Sequence, residues 1–340
     1  MKPSSGTVHH VTAADRGQTL AAFLRAKLAS GNSSTAASWS QVQKLVRSRH
    51  VLVHGNICTD FARRLKIGEV VKVLPVAAAA PPKADDVRIV YVDDQVAVVE
   101  KPTGITTTRH TEELSWPTRR RQIQPTLDEL VPEAISRHMA ARPSARGKKA
   151  RHVPPVRAVH RIDRETSGLV VFTRTVPSER ILAEQFRAHT TYRRYLAICV
   201  GRVGAGTIQT NLIRDRGDGR RGSSGDEEGK RAVTHVQPVE HFGDAFTLVE
   251  CRLETGRTHQ IRIHLAEIGH TVCGERVYSA PRALQVEDSS GALRVMLHAA
   301  ELGFVHPESG EDLKFSSPLP ADMRKLLDRL RSLRGQTTRG

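Results

Sequence analysis

The stretch VHRIDRETSGLVVF, residues 159–172, decides how the rest of the chain is interpreted. Its second half, 169–172, is a continuous apolar run that is typical of a buried strand. Its first half places a histidine, two arginines and Asp163 on a loop that Ser167 and Gly168 would close. Since loops held by rigid strands often carry chemistry, Asp163 is a candidate nucleophile or base, kept ionised by the nearby cations. From this stretch alone, a surface turn with a solvated salt bridge explains the residues equally well.

A family resemblance decides between these two interpretations. Residues 160–169, HRIDRETSGL, resemble the catalytic-loop signature of the RluA-type pseudouridine synthases, H-R-[LI]-D-x-x-T-S-G-L, and match all its fixed positions. A signature of that length is far more specific than a lone glycine motif. Other stretches that are similar to the family occur in the family's order: EKPTG at 100–104, YRRYLAICVG at 192–201, LETGRTHQIRIHLA at 253–266, CGERVY at 273–278, RVMLHA at 294–299 and FSSPLP at 315–320.

The composition indicates a polyanionic partner. Lys+Arg 52 against Asp+Glu 36 gives a formal net charge of +16. This excess favours nucleic acid first and an anionic membrane surface second. No apolar run approaches the roughly 20 residues of a membrane span, and the first residues lack a signal-peptide pattern. The four cysteines have no C-x-x-C spacing, which predicts free thiols in a reducing compartment and a cytoplasmic protein.

The length of 340 residues allows two domains with their own cores. The first would be a small S4-like α/β RNA-binding domain, because helical patterns from Asp15 to Leu28 and over 39–47 precede strand patterns at 51–53 and 67–74. The alternative for this region is a packing domain whose basic face is only solvated. We predict a loose N-terminal arm at 1–14, the S4-like domain at 15–75, a linker at 76–86, the catalytic domain at 87–330 and a C-terminal tail at 331–340.

For the catalytic domain, the resemblance implies an α+β fold with a mixed, largely antiparallel sheet. The residue patterns predict helices at 127–135 and at 178–189, the second capped by Ser178. A further helix would begin after Thr258 as its cap, with Ile261, Leu265 and Ile268 facing inward, and would end at Gly269. Strands are predicted at 87–99, interrupted by a turn, and at 192–201, 232–239 and 245–253.

Pseudouridine formation breaks the bond between C1′ of ribose and N1 of uracil and joins C1′ to C5. Because no atom enters or leaves, we expect no cofactor and no metal. The target base is stacked in RNA and has to leave the stack before a side chain can reach it. The reaction therefore needs a carboxylate, a cation that keeps it ionised, an aromatic ring for the extruded base and a wedge that replaces the base.

The resemblance assigns the catalytic roles to three residues. Asp163 matches the catalytic aspartate of the family, and Tyr195 matches the tyrosine that stacks on the base. Arg257 matches the arginine that pairs with the aspartate. In the same motif as Tyr195, Arg193 stands where the family usually has lysine, which keeps the charge.

Five further residues are predicted to contribute to the substrate site. Arg161 matches an arginine that enters the RNA helix in place of the flipped base, and Ile261 matches an apolar residue of the pocket. His160 is expected to shape the loop and not to act as an acid or base. Thr166 of the loop signature and Lys101 of the K-P-x-G motif complete the set.

The sequence thus predicts an RNA pseudouridine synthase that acts as a monomer on large-subunit ribosomal RNA, since family members with an S4 module commonly act there. A tRNA substrate is the first alternative, and a non-catalytic RNA-binding or ribosome-assembly factor is the second. A metal nuclease is disfavoured because carboxylates are not clustered. The span 134–162 contains no acidic residue and several arginines and lysines, which predicts contact with the RNA backbone; its alternative is an insertion without a specific role.

Overall fold

The computed structural model of the chain describes residues 7–29, 38–53, 56–78, 80, 82–117, 121, 124–141, 153–216, 220–224 and 228–337. The chain divides into two compact units, residues 1–80 and 81–340. Of the basic span 134–162, residues 142–152 lie outside the described part.

The first unit packs two helices on a small antiparallel sheet with the strand order β1-β4-β2-β3. The predicted second helix is confirmed at 39–47, where Ser38 caps it by accepting the Gln41 amide N–H at 3.2 Å. The predicted loose arm is wrong for residues 7–10, because they form β1 and pair with β4. The elements are β1 (Thr7–His10), α1 (Leu20–Ala29), α2 (Trp39–Arg47), β2 (Val51–Val53), β3 (Asn56–Ile57) and β4 (Val70–Val73).

Apolar side chains at helical and strand spacing form the core of this unit. Phe23, Leu24, Val42 and Val46 are fully buried between the helices and the sheet. Burying a side chain of this size stabilises the fold by about 1.5–3 kcal/mol. These four residues therefore contribute substantially to the stability of the first unit.

The second unit is built on one large sheet, which among the described residues has the strand order β11-β10-β12-β13-β9-β14-β8-β6-β5. Neighbouring strands in it are antiparallel except β14 and β8, which run parallel. The predicted α+β class with a mixed, largely antiparallel sheet is therefore confirmed. The strands are β5 (Arg88–Val92), β6 (Val96–Lys101), β7 (Arg157–Ala158), β8 (Ser167–Thr173), β9 (Tyr192–Val200), β10 (Gly206–Ile213), β11 (Gly222–Ser223), β12 (Lys230–Phe242), β13 (Phe246–Leu253), β14 (Leu297–Val305) and β15 (Asp312–Ser316).

Helices cover the sheet, and their ends differ in part from the sequence prediction. The N-cap of α4 is Thr175, whose hydroxyl accepts the Ser178 amide N–H at 3.3 Å, so the prediction of Ser178 as the cap is wrong. The predicted tail is helical as far as residue 337, because Met323, Leu326, Leu327 and Leu330 bury one face of α6. The helices are α3 (Leu127–Ala140), α4 (Val176–Arg187), α5 (Gln260–Glu267) and α6 (Ala321–Thr337).

Strand β8 contains the apolar run at 169–172, and it lies between β14 and β6. Its first residues approach β14 closely. A Cβ atom on Gly168, which has φ 115°, would lie 2.2 Å from the carbonyl oxygen of Ala299. Only glycine fits there, so the loop that carries Asp163 is fixed directly to the centre of the sheet.

No helix within the described ranges has the length and apolar character that crossing a bilayer requires.

Candidate active site

Two residues of one segment, Gly104 and Thr107, fix the loop between β7 and β8. The hydroxyl of Thr107 donates to the carbonyl oxygen of Ile162 at 3.0 Å and accepts its amide N–H at 3.2 Å. The amide N–H of Gly104 donates to the Arg164 carbonyl oxygen at 2.8 Å, and Arg164 Nε donates back to the Gly104 carbonyl oxygen at 3.0 Å. Asp163 lies between these two anchors, so its backbone position is set before any substrate binds.

His160 supports the loop from the side of β8. Its Nε2 accepts the amide N–H of Val171 at 3.0 Å, and its ring stacks on Phe186 with 4.4 Å between ring centroids. Burial lowers the pKa of His160 to about 3, with the charge of Arg193 acting in the same direction. A neutral ring whose lone pair is already engaged is suited to holding the loop and not to moving protons.

Lys101 has a different role from the predicted substrate contact. It is 1% exposed, and its Nζ donates to the carbonyl oxygens of Pro102, Ile105 and Arg164 at 3.0, 2.9 and 3.1 Å. A side chain enclosed in this way cannot reach RNA, so the prediction of Lys101 as a substrate-binding residue is wrong. Since the K-P-x-G segment and the Asp163 loop meet at this ammonium group, Lys101 is a positioning residue.

The Asp163 carboxylate is half-buried and lies beside two basic side chains. Arg262 Nη1 is 3.5 Å from its Oδ2, and His259 Nε2 is 3.8 Å from its Oδ1. Arg262 is itself held by Glu275, whose oxygens accept from Nε at 2.6 Å and from Nη2 at 2.9 Å. Burial alone would lower the pKa of Arg262, but Glu275 and Asp163 raise it above the usual range, so the guanidinium stays charged.

Arg257, the predicted partner of Asp163, makes other contacts. Its Nε donates to the Arg231 carbonyl oxygen at 3.0 Å, and within the described residues its guanidinium forms no ion pair with Asp163. The reason is local geometry: His259 has a left-handed backbone (φ 60°) and precedes the first helical residue, so Arg262 on the first turn of α5 faces the carboxylate. The prediction of Arg257 as that partner is wrong, and so is that of Thr258 as the helix cap, because His259 holds the N-cap position.

The prediction that Ile261, Leu265 and Ile268 face inward on α5 is confirmed only in part. Ile261 and Leu265 are buried, whereas Ile268 is 39% exposed, because the helix ends at Glu267 and Ile268 is its C-cap.

Tyr195 and Arg193 lie two residues apart on β9, so both side chains point to the same face of the sheet. Tyr195 is 8% exposed, and burial raises its pKa to about 12, so the phenol is neutral at physiological pH. Arg193 Nη2 donates to the Glu254 carbonyl oxygen at 2.8 Å, while its buried Nε has no hydrogen-bond partner in the described part of the chain. The sequence motif had pointed to Arg193 only as a conservative replacement.

His259 contacts Tyr278, and this contact was not predicted from the sequence. The Tyr278 hydroxyl lies 2.6 Å from His259 Nδ1, and the opposite ring nitrogen faces Asp163. Burial lowers the pKa of His259, although Asp163 acts in the opposite direction. The uncommon left-handed backbone of His259 was the one signal of a special position, and φ cannot be read from sequence.

These side chains surround one small cavity of about 70 Å³. Asp163, Tyr195, Ile261 and Thr166 line it, as the sequence predicted for a shared site, and exposed Arg161 lies on the same lining. The Thr166 hydroxyl is buried and has no hydrogen-bond partner among the described residues. The remaining lining residues include His160, Arg193, Arg257, His259 and Arg262.

In the ranges that the structure describes, no three His, Cys, Asp or Glu side chains form a group that could hold a metal ion. The arrangement offers a carboxylate, an aromatic ring and unsatisfied hydrogen-bonding atoms around a space for a small planar group.

Comparison with known proteins gives a consistent result. A family model described as RNA pseudouridylate synthase matches residues 95–267. An uncharacterized RNA pseudouridine synthase of Bacillus subtilis is 34% identical over 304 residues, which cover 88% of this chain and 92% of that protein. A ribosomal large subunit pseudouridine synthase D of Zymomonas mobilis is 37% identical over 261 residues, which cover 76% of this chain and 77% of that protein. Among solved structures, human RNA pseudouridylate synthase domain containing 4 has the same fold, with a TM-score of 0.54 at 22% identity over 72% of this chain and 92% of that one.

Proposed function

Because the chain belongs to the family of RNA pseudouridylate synthases, isomerases that convert uridine to pseudouridine in RNA, we propose that it modifies large-subunit ribosomal RNA and that Asp163 carries the reaction. The name of the Zymomonas mobilis relative supports the choice of RNA. The observation that carries the assignment of the site is the convergence of Asp163, Tyr195 and Arg262 on one cavity.

In the proposed reaction the target uridine leaves the RNA stack and its base enters the cavity. Asp163 acts first and the C1′–N1 bond breaks, C1′ then bonds to C5, and the proton lost from C5 is balanced by the proton that N1 gains. Arg262 holds a positive charge beside the carboxylate while Glu275 fixes its orientation. Because Arg262 and Glu275 are buried, the positive charge stays in place without solvent reorganisation.

The base itself would be recognised by ring stacking and by the unsatisfied polar atoms. Tyr195 presents its ring to the cavity, and stacking one base on an aromatic side chain contributes about 1–3 kcal/mol. The Thr166 hydroxyl and Arg193 Nε lack partners among the described residues, and uracil offers two carbonyl oxygens and one N–H. Since unpaired buried polar groups are costly, a bound base would stabilise the site by accepting hydrogen bonds from these two groups. Arg161 would fill the gap in the RNA helix, and Ile261 would pack on the base.

The first unit would add affinity for RNA as an S4-like module. Its arginines include Arg47 and Arg25, whose guanidinium groups lie 5.0 Å from the ring centroids of Phe61 and Trp39. Such contacts hold cations on an aromatic surface of the kind that RNA-binding proteins present. The monomeric state and the cytoplasmic location stay predictions, which light scattering and cell fractionation test.

The test compares two RNAs. Purified protein is incubated with unmodified transcripts of large-subunit ribosomal RNA and, in parallel, of tRNA, and pseudouridines are mapped by carbodiimide labelling and primer extension. We expect new pseudouridine at a defined position in the ribosomal transcript. Modification of the tRNA alone would overturn the proposed substrate, and binding without modification of either RNA would favour the non-catalytic RNA-binding alternative.

A further inference from the structure

A second cavity lies next to the Asp163 pocket and is much larger, with a volume of about 500 Å³. Arg257 lines both cavities, so they adjoin at this residue. Four cations and no acid are among the described residues that line the larger cavity, and the cations are Arg214, Arg221, Lys230 and Arg257. We call this cavity the basic cleft.

Strand register explains why the cations meet there. Ile213 pairs with Gly222 across β10 and β11, and Leu212 pairs with Lys230 across β10 and β12. Arg214, at the end of β10, Arg221, just before β11, and Lys230, at the start of β12, therefore lie at one corner of the sheet.

The wall of the basic cleft is tied to the active-site helix. The Ser223 amide N–H and hydroxyl on β11 donate to the carboxylate of Glu267 on α5 at 2.8 and 2.5 Å. Glu267 is thus engaged by Ser223, and it does not line the cleft. The same helix carries Arg262, so the cleft and the Asp163 pocket share one rigid support.

The cations of the basic cleft are not neutralised within the described residues. Arg214, Arg221 and Lys230 form no ion pair there, and Arg257 uses Nε only for the Arg231 carbonyl oxygen. Like charges gathered in a lining whose described residues include no acid cost free energy, and such an arrangement is typical of a site for a polyanion. The charge of Arg221 also acts in the pocket: burial lowers the pKa of His259, and the charges of Arg262 and, more weakly, Arg221 act in the same direction.

We propose that the basic cleft binds the RNA backbone phosphates that adjoin the target uridine, with Arg257 contacting the phosphate nearest the flipped nucleotide. The inference rests on the proposed function, because that function places a nucleotide in the Asp163 pocket. The RNA strand that carries the flipped nucleotide has to continue beyond the pocket. The cations of the basic cleft can neutralise the phosphates of that strand. Arg257 lines both cavities, so in this proposal it holds a phosphate beside the reacting nucleotide.

The test measures binding of a short fluorescein-labelled oligouridylate at increasing KCl concentration, which does not depend on knowing the target uridine. The variant Arg214→Gln/Arg221→Gln/Lys230→Gln removes three charges that form no ion pair within the described ranges. We expect the slope of log K against log salt to become shallower by about 2, since each phosphate contact on a single strand contributes about 0.7. The affinity at low salt should fall roughly 100-fold, and Arg257→Gln alone should reduce the slope by about 0.7.

The matched control is Arg180→Gln, which removes one exposed arginine from α4, away from the cleft lining. Its salt slope should equal that of the wild type, and circular dichroism verifies the folding of every variant. An unchanged slope in the triple variant would overturn the proposal. A slope change in the Arg180→Gln control as large as that in Arg257→Gln, which also removes one charge, would overturn it too, since it would mean a general surface field. The wild type could form no pseudouridine while the triple variant still shows the shallower dependence of log K on log salt. In that case the proposed function fails and the proposed phosphate site stands.

Discussion

At the scale of single residues, the chemistry depends on which arginine faces Asp163. The motif TGRTHQIR contains Arg257 and Arg262, and the sequence gives no means to tell which of them faces inward. The left-handed backbone at His259 decides it, because α5 starts only after that residue. The residues of the site were thus predictable from the motifs, whereas their pairing depended on a local backbone angle.

We expect different effects from replacing Arg262 and from replacing Arg257. Arg262→Gln leaves the 1% exposed Glu275 side chain as an unpaired buried acid, which should cost about 3 kcal/mol of unfolding free energy, and it should reduce single-turnover rates strongly. Arg257→Gln should leave the urea midpoint in place and weaken RNA binding. Urea denaturation and single-turnover assays measure both effects. The account fails here if Arg257→Gln unfolds more easily than Arg262→Gln.

Tyr195 is the second residue whose role can be isolated. Tyr195→Leu removes the ring, and a loss of about 1–3 kcal/mol of stacking should lower kcat/KM by roughly 5- to 150-fold without unfolding. Tyr195→Phe keeps the ring, so near-normal turnover means that the tyrosine only stacks, whereas a large loss with normal RNA binding assigns a proton transfer to the hydroxyl. Normal turnover of the leucine variant would remove Tyr195 from the site.

At the scale of secondary-structure elements, local signals were sufficient in some places and not in others. Helix α2 was predicted with its bounds, because Ser38 and an apolar stripe define it locally. Strand β11 was missed in a stretch rich in glycine and charge, since it is held by distant partners, β10 and Glu267. Lys101 was predicted to bind the substrate because its motif shows only that the side chain is charged. The three carbonyl oxygens that enclose its Nζ cannot be recognised in the sequence.

Lys101 predicts a pH dependence of stability. Burial lowers its pKa in the folded protein to about 7, whereas an unfolded lysine titrates near about 10.4. The cost of burying its charge is therefore present in full below about pH 7 and is relieved as the pH rises toward about 10.4. Compared with Lys101→Met, which has no such group, the wild type should gain on the order of 1 kcal/mol per pH unit above pH 7.

Urea denaturation of both proteins at several pH values from neutral to moderately alkaline measures this difference, and the other titrating groups cancel between them. If the stability of the wild type relative to Lys101→Met stays constant or falls as the pH rises, Lys101 remains fully charged in its enclosure of carbonyl oxygens.

At the scale of the whole molecule, the fold class followed from the resemblance, but the strand order did not. The parallel contact of β14 with β8 joins segments more than a hundred residues apart, and it places the Asp163 loop at the centre of the sheet. At one end of the same sheet, β11, β10 and β12 lie side by side, and cations at the ends of these strands form the basic cleft. The high net charge predicted a polyanionic partner, and the topology gives part of that charge a defined location.

The central claim is that Asp163 carries the isomerisation in this molecule, and Asp163→Asn tests it most directly. The substitution keeps the size of the side chain and removes its charge. Wild type and variant are compared on the same unmodified large-subunit ribosomal RNA transcript, by pseudouridine formed per transcript and by the Kd for the RNA. The account predicts that the variant forms no pseudouridine and binds the RNA nearly as well as the wild type. Measurable turnover by the pure variant would contradict it.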